Sequence, residues 1–178
     1  MKRTLQELAT YLKSPVLEKD PNKELKYRFT KFLHLLVLSI GTGIILTPIF
    51  YLLDAMKIVN MQEHAVEDLI ENFSKPMVFI LAGVIAPIAE EIFFRAPLTA
   101  FKNTKHFFYV FYAFALFFGF VHISNFEIST TVILLAPLLV APQIILGCYL
   151  GFIRIRFGLL WSILLHASYN AFFIVNTF

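Results

Sequence analysis

Apolar residues in this chain fall into long blocks rather than at alternating or one-faced helical intervals. The blocks cover residues 32–53, 76–101, 107–122, 131–153 and 159–176, with short polar stretches between them. A helix needs about 20 predominantly apolar residues to cross a bilayer, so the pattern predicts five transmembrane helices. The third is the shortest and is expected to extend a few residues either way. The second is unusual, because its helical pattern runs straight through Glu90 and Glu91. Before the first block, residues 3–13 space Leu5, Leu8 and Leu12 at helical intervals, which predicts a short helix lying in the membrane interface.

Composition sharpens this picture. Of 178 residues, 58% are hydrophobic and only 15% are charged, against about a quarter charged in soluble domains. The fold class expected is therefore all-α: a polytopic helical membrane protein, its helices bundled or arranged as a cone around a site. Residues 1–31 are expected to be a basic arm and residues 32–178 one transmembrane domain. The 21 phenylalanines are ordinary lipid-facing and packing residues. Cys148 has no partner cysteine and sits in an apolar block, so it reads as a structural thiol. No apolar stretch follows the first lysines, so no cleavable signal peptide is expected.

The charges between the blocks test the count. The arm carries Lys2, Arg3, Lys13, Lys19, Lys23, Lys26, Arg28 and Lys31. Between the first two blocks stand Lys57 and Lys75 against Asp54, Glu63, Glu67, Asp68 and Glu71. Lys102 and Lys105 follow the second block, Glu127 alone follows the third, and Arg154 with Arg156 close the fourth. Basic and non-basic segments thus alternate, as five crossings require. The positive-inside rule puts the N-terminus in the cytoplasm and the C-terminus outside. Acidic residues interleave the arm's basic ones, so it reads as a segment near anionic lipid headgroups and not as a nucleic-acid patch.

Polar groups within the apolar blocks carry the chemistry, since a charge at mid-bilayer costs roughly 2.5–3.5 kcal/mol on insertion scales. Glu91 and Arg95 are four apart and share a helix face, while Glu90 lies about 100° round from Glu91, so the two carboxylates need not face the same group. Arg95 favours charge on one carboxylate and burial disfavours it on the other. That suits a general base acting on water; the plain alternative is an ion pair locking two helices. His122 ends the third block, where an interfacial histidine is the ordinary reading, though Gly119 nearby permits close helix approach. His166 and Asn170 share one face of the last block, with Ser162 a turn before. They are either an interhelical hydrogen-bonded pair or donors to a developing oxyanion. His34, His64 and His106 are left outside the site, and Tyr169 is expected to face away from it. Pro87 is expected to free backbone groups near the carboxylates, and Pro137 and Pro142 to kink the fourth helix.

The ordered set of Glu90, Glu91 and Arg95, then Phe118 and His122, then His166 and Asn170, resembles the CPBP family. These are the CAAX proteases and bacteriocin-processing enzymes, also called the Abi family, which include the Rce1-type prenyl endopeptidase. The likeness covers roughly residues 76–176. Ala96 stands where many members have glycine. The resemblance implies endoproteolysis in or near the membrane. Glu90 would activate water, His122 would position or deprotonate it, Glu91 and Arg95 would tune the network, and His166 with Asn170 would stabilise the oxyanion. The site is expected to open to the cytoplasmic side, because Arg95 and Lys102 run toward a basic loop, although His122 lies at the other end of its block.

A metal-free reaction is favoured. Zinc held by two histidines and a carboxylate is chemically reasonable, but no HExxH is present and arginine repels a cation. The expected partner is a membrane-anchored protein or peptide in the lipid bilayer: a CAAX-type C-terminus, a leader peptide, or a bacteriocin or signal-peptide precursor. Nucleic acid is not expected. The competing function is a non-proteolytic bacteriocin-immunity or signalling scaffold. A proton-coupled transporter fits poorly, since no internal repeat is visible. Modest size and short loops point to a bacterial plasma membrane.

Overall fold

In the computed structural model, which describes residues 1–61, 65–101 and 106–177, every element among those residues is helical. Helix α1 (Lys2–Lys13) is followed by α2 (Leu25–Ala55), and a short α3 (Ala65–Asn72) leads to α4 (Lys75–Ile80). A single π turn (Leu81–Ile85) joins α4 to α5 (Ala86–Phe94), and a 3₁₀ turn (Pro97–Ala100) ends that crossing. Then come α6 (Phe107–Val121) with a 3₁₀ turn (His122–Asn125), α7 (Thr130–Leu139), α8 (Ala141–Phe157) and α9 (Leu159–Thr177). Five helical stretches are long and apolar enough to span a membrane: Leu25–Ala55, Lys75–Ala100, Phe107–Asn125, Thr130–Phe157 and Leu159–Asn176. The all-α, five-span reading of the sequence is borne out.

Local chemistry explains the interruptions. Val140 separates α7 from α8, and Pro142 sits in the first turn of α8, where a missing N–H costs nothing. In the π turn, the Ala86 N–H bonds the Leu81 carbonyl five residues back. The same register would pair the Ala82 carbonyl with residue 87, which is proline and has no N–H to give. That carbonyl is therefore left for a side chain.

Helices α6 and α8 pack antiparallel along glycines. A Cβ on Gly119 would collide with Ile144, and one on Gly151 would lie 2.6 Å from the Phe111 ring. Hydrogen at these positions lets the helices approach closely enough for Phe111, Ala115, Phe118, Leu146 and Leu150 to form the buried core. Such close van der Waals packing is what associates helices where lipid supplies no hydrophobic drive.

The arm folds back on the bundle. Leu8 and Tyr11 of α1 are buried, with Tyr11 edge-on to Phe111 and Phe152. Tyr112 donates its hydroxyl hydrogen to the Leu12 carbonyl, Lys31 pairs with Glu7, and Arg156 donates to Asp20 at 2.9 Å. The helix expected over residues 3–13 is therefore present as α1, and it covers the end of the bundle.

Candidate active site

Of the six polar residues singled out in the sequence, Glu90, His122, His166 and Asn170 line one cavity of about 340 Å³, while Glu91 and Arg95 stand behind its wall. Phe118, Gln143 and Tyr169 also line it. Glu90 and Glu91 leave α5 at different angles yet reach the same ring of α9. The Glu91 Oε1 lies 3.0 Å from His166 Nδ1, and Glu90 Oε2 lies 3.7 Å from His166 Nε2. The two carboxylates thus face the two edges of one imidazole, which their angular separation had not led us to expect.

Glu91 is fully buried and fully engaged. Ser162 donates to its Oε2, which also lies 3.8 Å from Arg95 Nε. Ser162 stands a turn before His166 on α9, so one helix supplies both groups that hold this carboxylate. A carboxylate beside a guanidinium is charged and accepts only, so His166 Nδ1 carries the hydrogen and donates it. Arg95 is itself buried, with Cζ 4.0 Å from the Phe118 ring centroid, over its face. Gly147 makes room for it: a Cβ there would lie 3.3 Å from Arg95 Nη2 and 3.2 Å from Phe118.

Glu90 is different. Its side chain is 29% exposed, and its buried Oε2 accepts no hydrogen bond from the protein. That oxygen lies 3.8 Å from His122 Nε2 and 3.7 Å from His166 Nε2, beyond direct hydrogen-bond reach. His122 Nδ1 lies 2.7 Å from the Phe118 carbonyl. A carbonyl only accepts, so Nδ1 bears the hydrogen and Nε2 of the neutral ring presents a lone pair toward Glu90. Phe118 supports both histidine rings edge-on, 4.8 Å from His122 and 5.6 Å from His166.

Asn170 donates through Nδ2 to the Ala82 carbonyl at 2.9 Å, the acceptor that the π turn and Pro87 leave free. The expected release of backbone groups by Pro87 is thus realised, and it fixes the Asn170 carboxamide in the cavity wall. One N–H of that amide is so occupied and the second remains.

His34 pairs with Thr4 at 2.8 Å, far from this cluster along the chain, and His106 is exposed beside α6. His64 lies outside the described residues. Tyr169 departs from expectation: it lines the cavity, because a residue three positions after His166 shares its helix face. Ser162, Phe118 and Gly147 complete the network, and of these only Ser162 and Phe118 had drawn notice in the sequence.

The opening also departs from expectation. Ala65 and Leu69 of α3, Asn125 after α6, and Phe173 and Ile174 late in α9 form its outer wall. All belong to the end of the bundle away from the arm. The cavity at the arm end, lined by Leu17, Lys19, Thr99, Arg154 and Ile155, reaches none of the six residues. His122 closes α6 and passes directly into the 3₁₀ turn, and its Nε2 lies 3.8 Å from Glu90 Oε2, so both groups belong to the wall of one recess.

Among the described residues, no three His, Cys, Asp or Glu side chains are grouped to hold a metal ion. A family model described as Rce1-like, type II CAAX prenyl endopeptidase, matches residues 72–172, more than half of the chain. No curated protein and no solved structure matches the chain.

Proposed function

The chain belongs to the Rce1-like family of type II CAAX prenyl endopeptidases, a family of intramembrane proteases, and from that premise we propose a metal-free, glutamate-dependent hydrolysis of a membrane-associated peptide. The observation that carries the reading is the buried Glu90 Oε2, which has no donor from the protein yet faces two histidine Nε2 atoms at 3.7 and 3.8 Å. A polar gap of that width fits a bridging water. With His122 presenting a lone pair and Glu90 an anionic oxygen, both partners accept, and a water has two hydrogens to give.

The reaction then runs as follows. The water oxygen attacks the carbonyl carbon of the scissile bond while Glu90, assisted by His122, takes its proton. The carbonyl oxygen becomes an oxyanion. Asn170 offers its second N–H to it, and His166, held by Glu91 through Nδ1, faces it with Nε2. The proton held at Glu90 passes to the departing nitrogen, the C–N bond breaks, and the second proton of the water follows by way of Glu90, so that a carboxylate and a protonated amine leave and Glu90 is again a carboxylate.

The test is cleavage of membrane-anchored peptides by purified protein in liposomes. Glu90→Gln is expected to abolish turnover while the protein still folds, and His166→Ala to reduce it at least a hundredfold. Activity is expected to survive a strong zinc chelator; loss restored by zinc would overturn the metal-free mechanism. Turnover kept by Glu90→Gln would overturn the role of that carboxylate. A non-proteolytic immunity scaffold is the weaker reading, because it gives no use to a carboxylate oxygen buried between two imidazoles. We further assign the protein to a bacterial plasma membrane with its basic arm in the cytoplasm, supported by the alternation of charge along the chain.

A further inference from the structure

We propose that the cavity takes its substrate from the extracytoplasmic side of the membrane. The substrate would then be a segment of an exported or membrane-anchored peptide displayed on that face, and not a cytosolic C-terminus. Calling the occupant a substrate rests on the hydrolytic reading above; the sidedness rests on geometry and charge.

Three observations converge. First, the outer wall of the cavity comes from the segments that join the first and second spans (Ala65, Leu69), end the third (Asn125) and end the fifth (Phe173, Ile174). In a five-span chain these lie at one membrane face. Second, the basic residues lie at the other. The arm's eight Lys and Arg, with Arg154 and Arg156, belong to that end, and the fold holds them there through Arg156 to Asp20 and Tyr112 to Leu12. The sequence segments 54–75 and 126–129 that join the spans at the mouth end carry two basic residues, Lys57 and Lys75, against six acidic ones, Asp54, Glu63, Glu67, Asp68, Glu71 and Glu127. The Lys and Arg bias of short connecting segments sets orientation, so the mouth faces out.

Third, the cavity floor is closed toward the basic end. Arg95, Glu91, Phe118 and Leu150 are buried in a layer beneath it. Below that layer Arg154 donates from Nε to the Arg95 carbonyl at 2.9 Å, and from Nη2 to the Ala96 carbonyl at 3.3 Å and Thr99 Oγ1 at 3.1 Å. A peptide arriving from the cytoplasm would have to break the buried Glu91–Arg95 pair that positions His166, whereas one arriving from the mouth meets Glu90 with that network intact. The upper wall also suits an extended peptide. Ala65, Leu69 and Ile174 are apolar, and Gln143 presents a buried Oε1 with no donor from the protein, free to accept a peptide N–H.

Single cysteines read the sidedness without any cleavage. Met56→Cys and Ile128→Cys mark the mouth end and Gln6→Cys the arm; all three positions are exposed, and the native Cys148 is buried, so the parent chain sets the blank. Cells expressing each variant are treated with a membrane-impermeant maleimide before and after lysis. Either mouth variant is expected to label fully in intact cells, and Gln6→Cys only after lysis. Labelling of Gln6→Cys in intact cells, alone or together with the mouth positions, overturns the proposal. In the same cells, Leu69→Cys treated with the impermeant reagent is expected to lose cleavage of a membrane-anchored reporter, and retained cleavage in the fully labelled protein overturns access through this mouth. A protein that labels as expected but cleaves nothing removes the hydrolytic reading alone.

Discussion

Two adjacent glutamates look redundant in the sequence, and the structure divides their work. Every oxygen of Glu91 is occupied, by Ser162, Arg95 and His166, so its task is to hold a ring. Glu90 keeps a buried oxygen for something else. Ser162→Ala tests the division. It leaves Glu91 short of a donor in a buried site, which costs about 1–3 kcal/mol of stability. It is expected to lower kcat roughly tenfold, an increment of about 1.4 kcal/mol in the barrier, with KM unchanged because Ser162 does not face the cavity. A raised KM with unaltered kcat would show that Ser162 acts on binding instead. The polar members of the site were legible in the sequence because burying them in a membrane is expensive and so calls for a reason. Gly147 was not, since a glycine in an apolar helix is a normal packing residue, and Phe118 stood out only through the motif it shares with His122. Tyr169 could have been found: the three-residue spacing from His166 already placed it on the cavity face.

At the scale of helices, block length announced five crossings but not how far each one penetrates. Hydropathy measures compatibility with lipid, and a helix that stops within the bundle is as apolar as one that emerges. That is why the apparent conflict over His122 dissolved only when the fold set its ring 3.8 Å from Glu90. The glycines that pull α6 against α8 make the same element testable. Gly119→Ala would drive a methyl group into Ile144, and overpacking of this kind costs about 1–3 kcal/mol. Because Gly119 lies three residues before His122, the separation of α6 from α8 is also expected to widen the gap between His122 and Glu90. The variant should therefore lose both thermal stability in detergent and turnover. Pairing it with Ile144→Ala, which vacates the space, should restore both. Failure of that second change to rescue would place the defect in α6 alone.

Across the whole molecule, the arm ties the end opposite the mouth, and its main polar fastening is Asp20. The Asp20 carboxylate accepts from the Asn22 N–H at 2.9 Å, from Tyr27 at 3.1 Å and from Arg156 at 2.9 Å, while the Asp20 N–H donates to the Arg156 carbonyl. Burial pushes this carboxyl up, but the donors from Asn22, Arg156 and Tyr27 outweigh it and hold it below the ordinary carboxylate range. A group lowered in the folded state contributes its stability above its unfolded value, about 3.9 for Asp, and loses it as pH falls through the folded value. The arm is therefore expected to stay docked from neutral pH down to about 4 and to loosen below it. A nitroxide on Gln6→Cys would report this as a rise in mobility confined to the acid range. In an Asp20→Asn background the arm should already be mobile at neutral pH and should show little further response to acid. If the label is equally immobile in both backgrounds at every pH, the buried Leu8 and Tyr11 hold the arm without help from Asp20. The charge pairs would then only select which end of the bundle the arm covers.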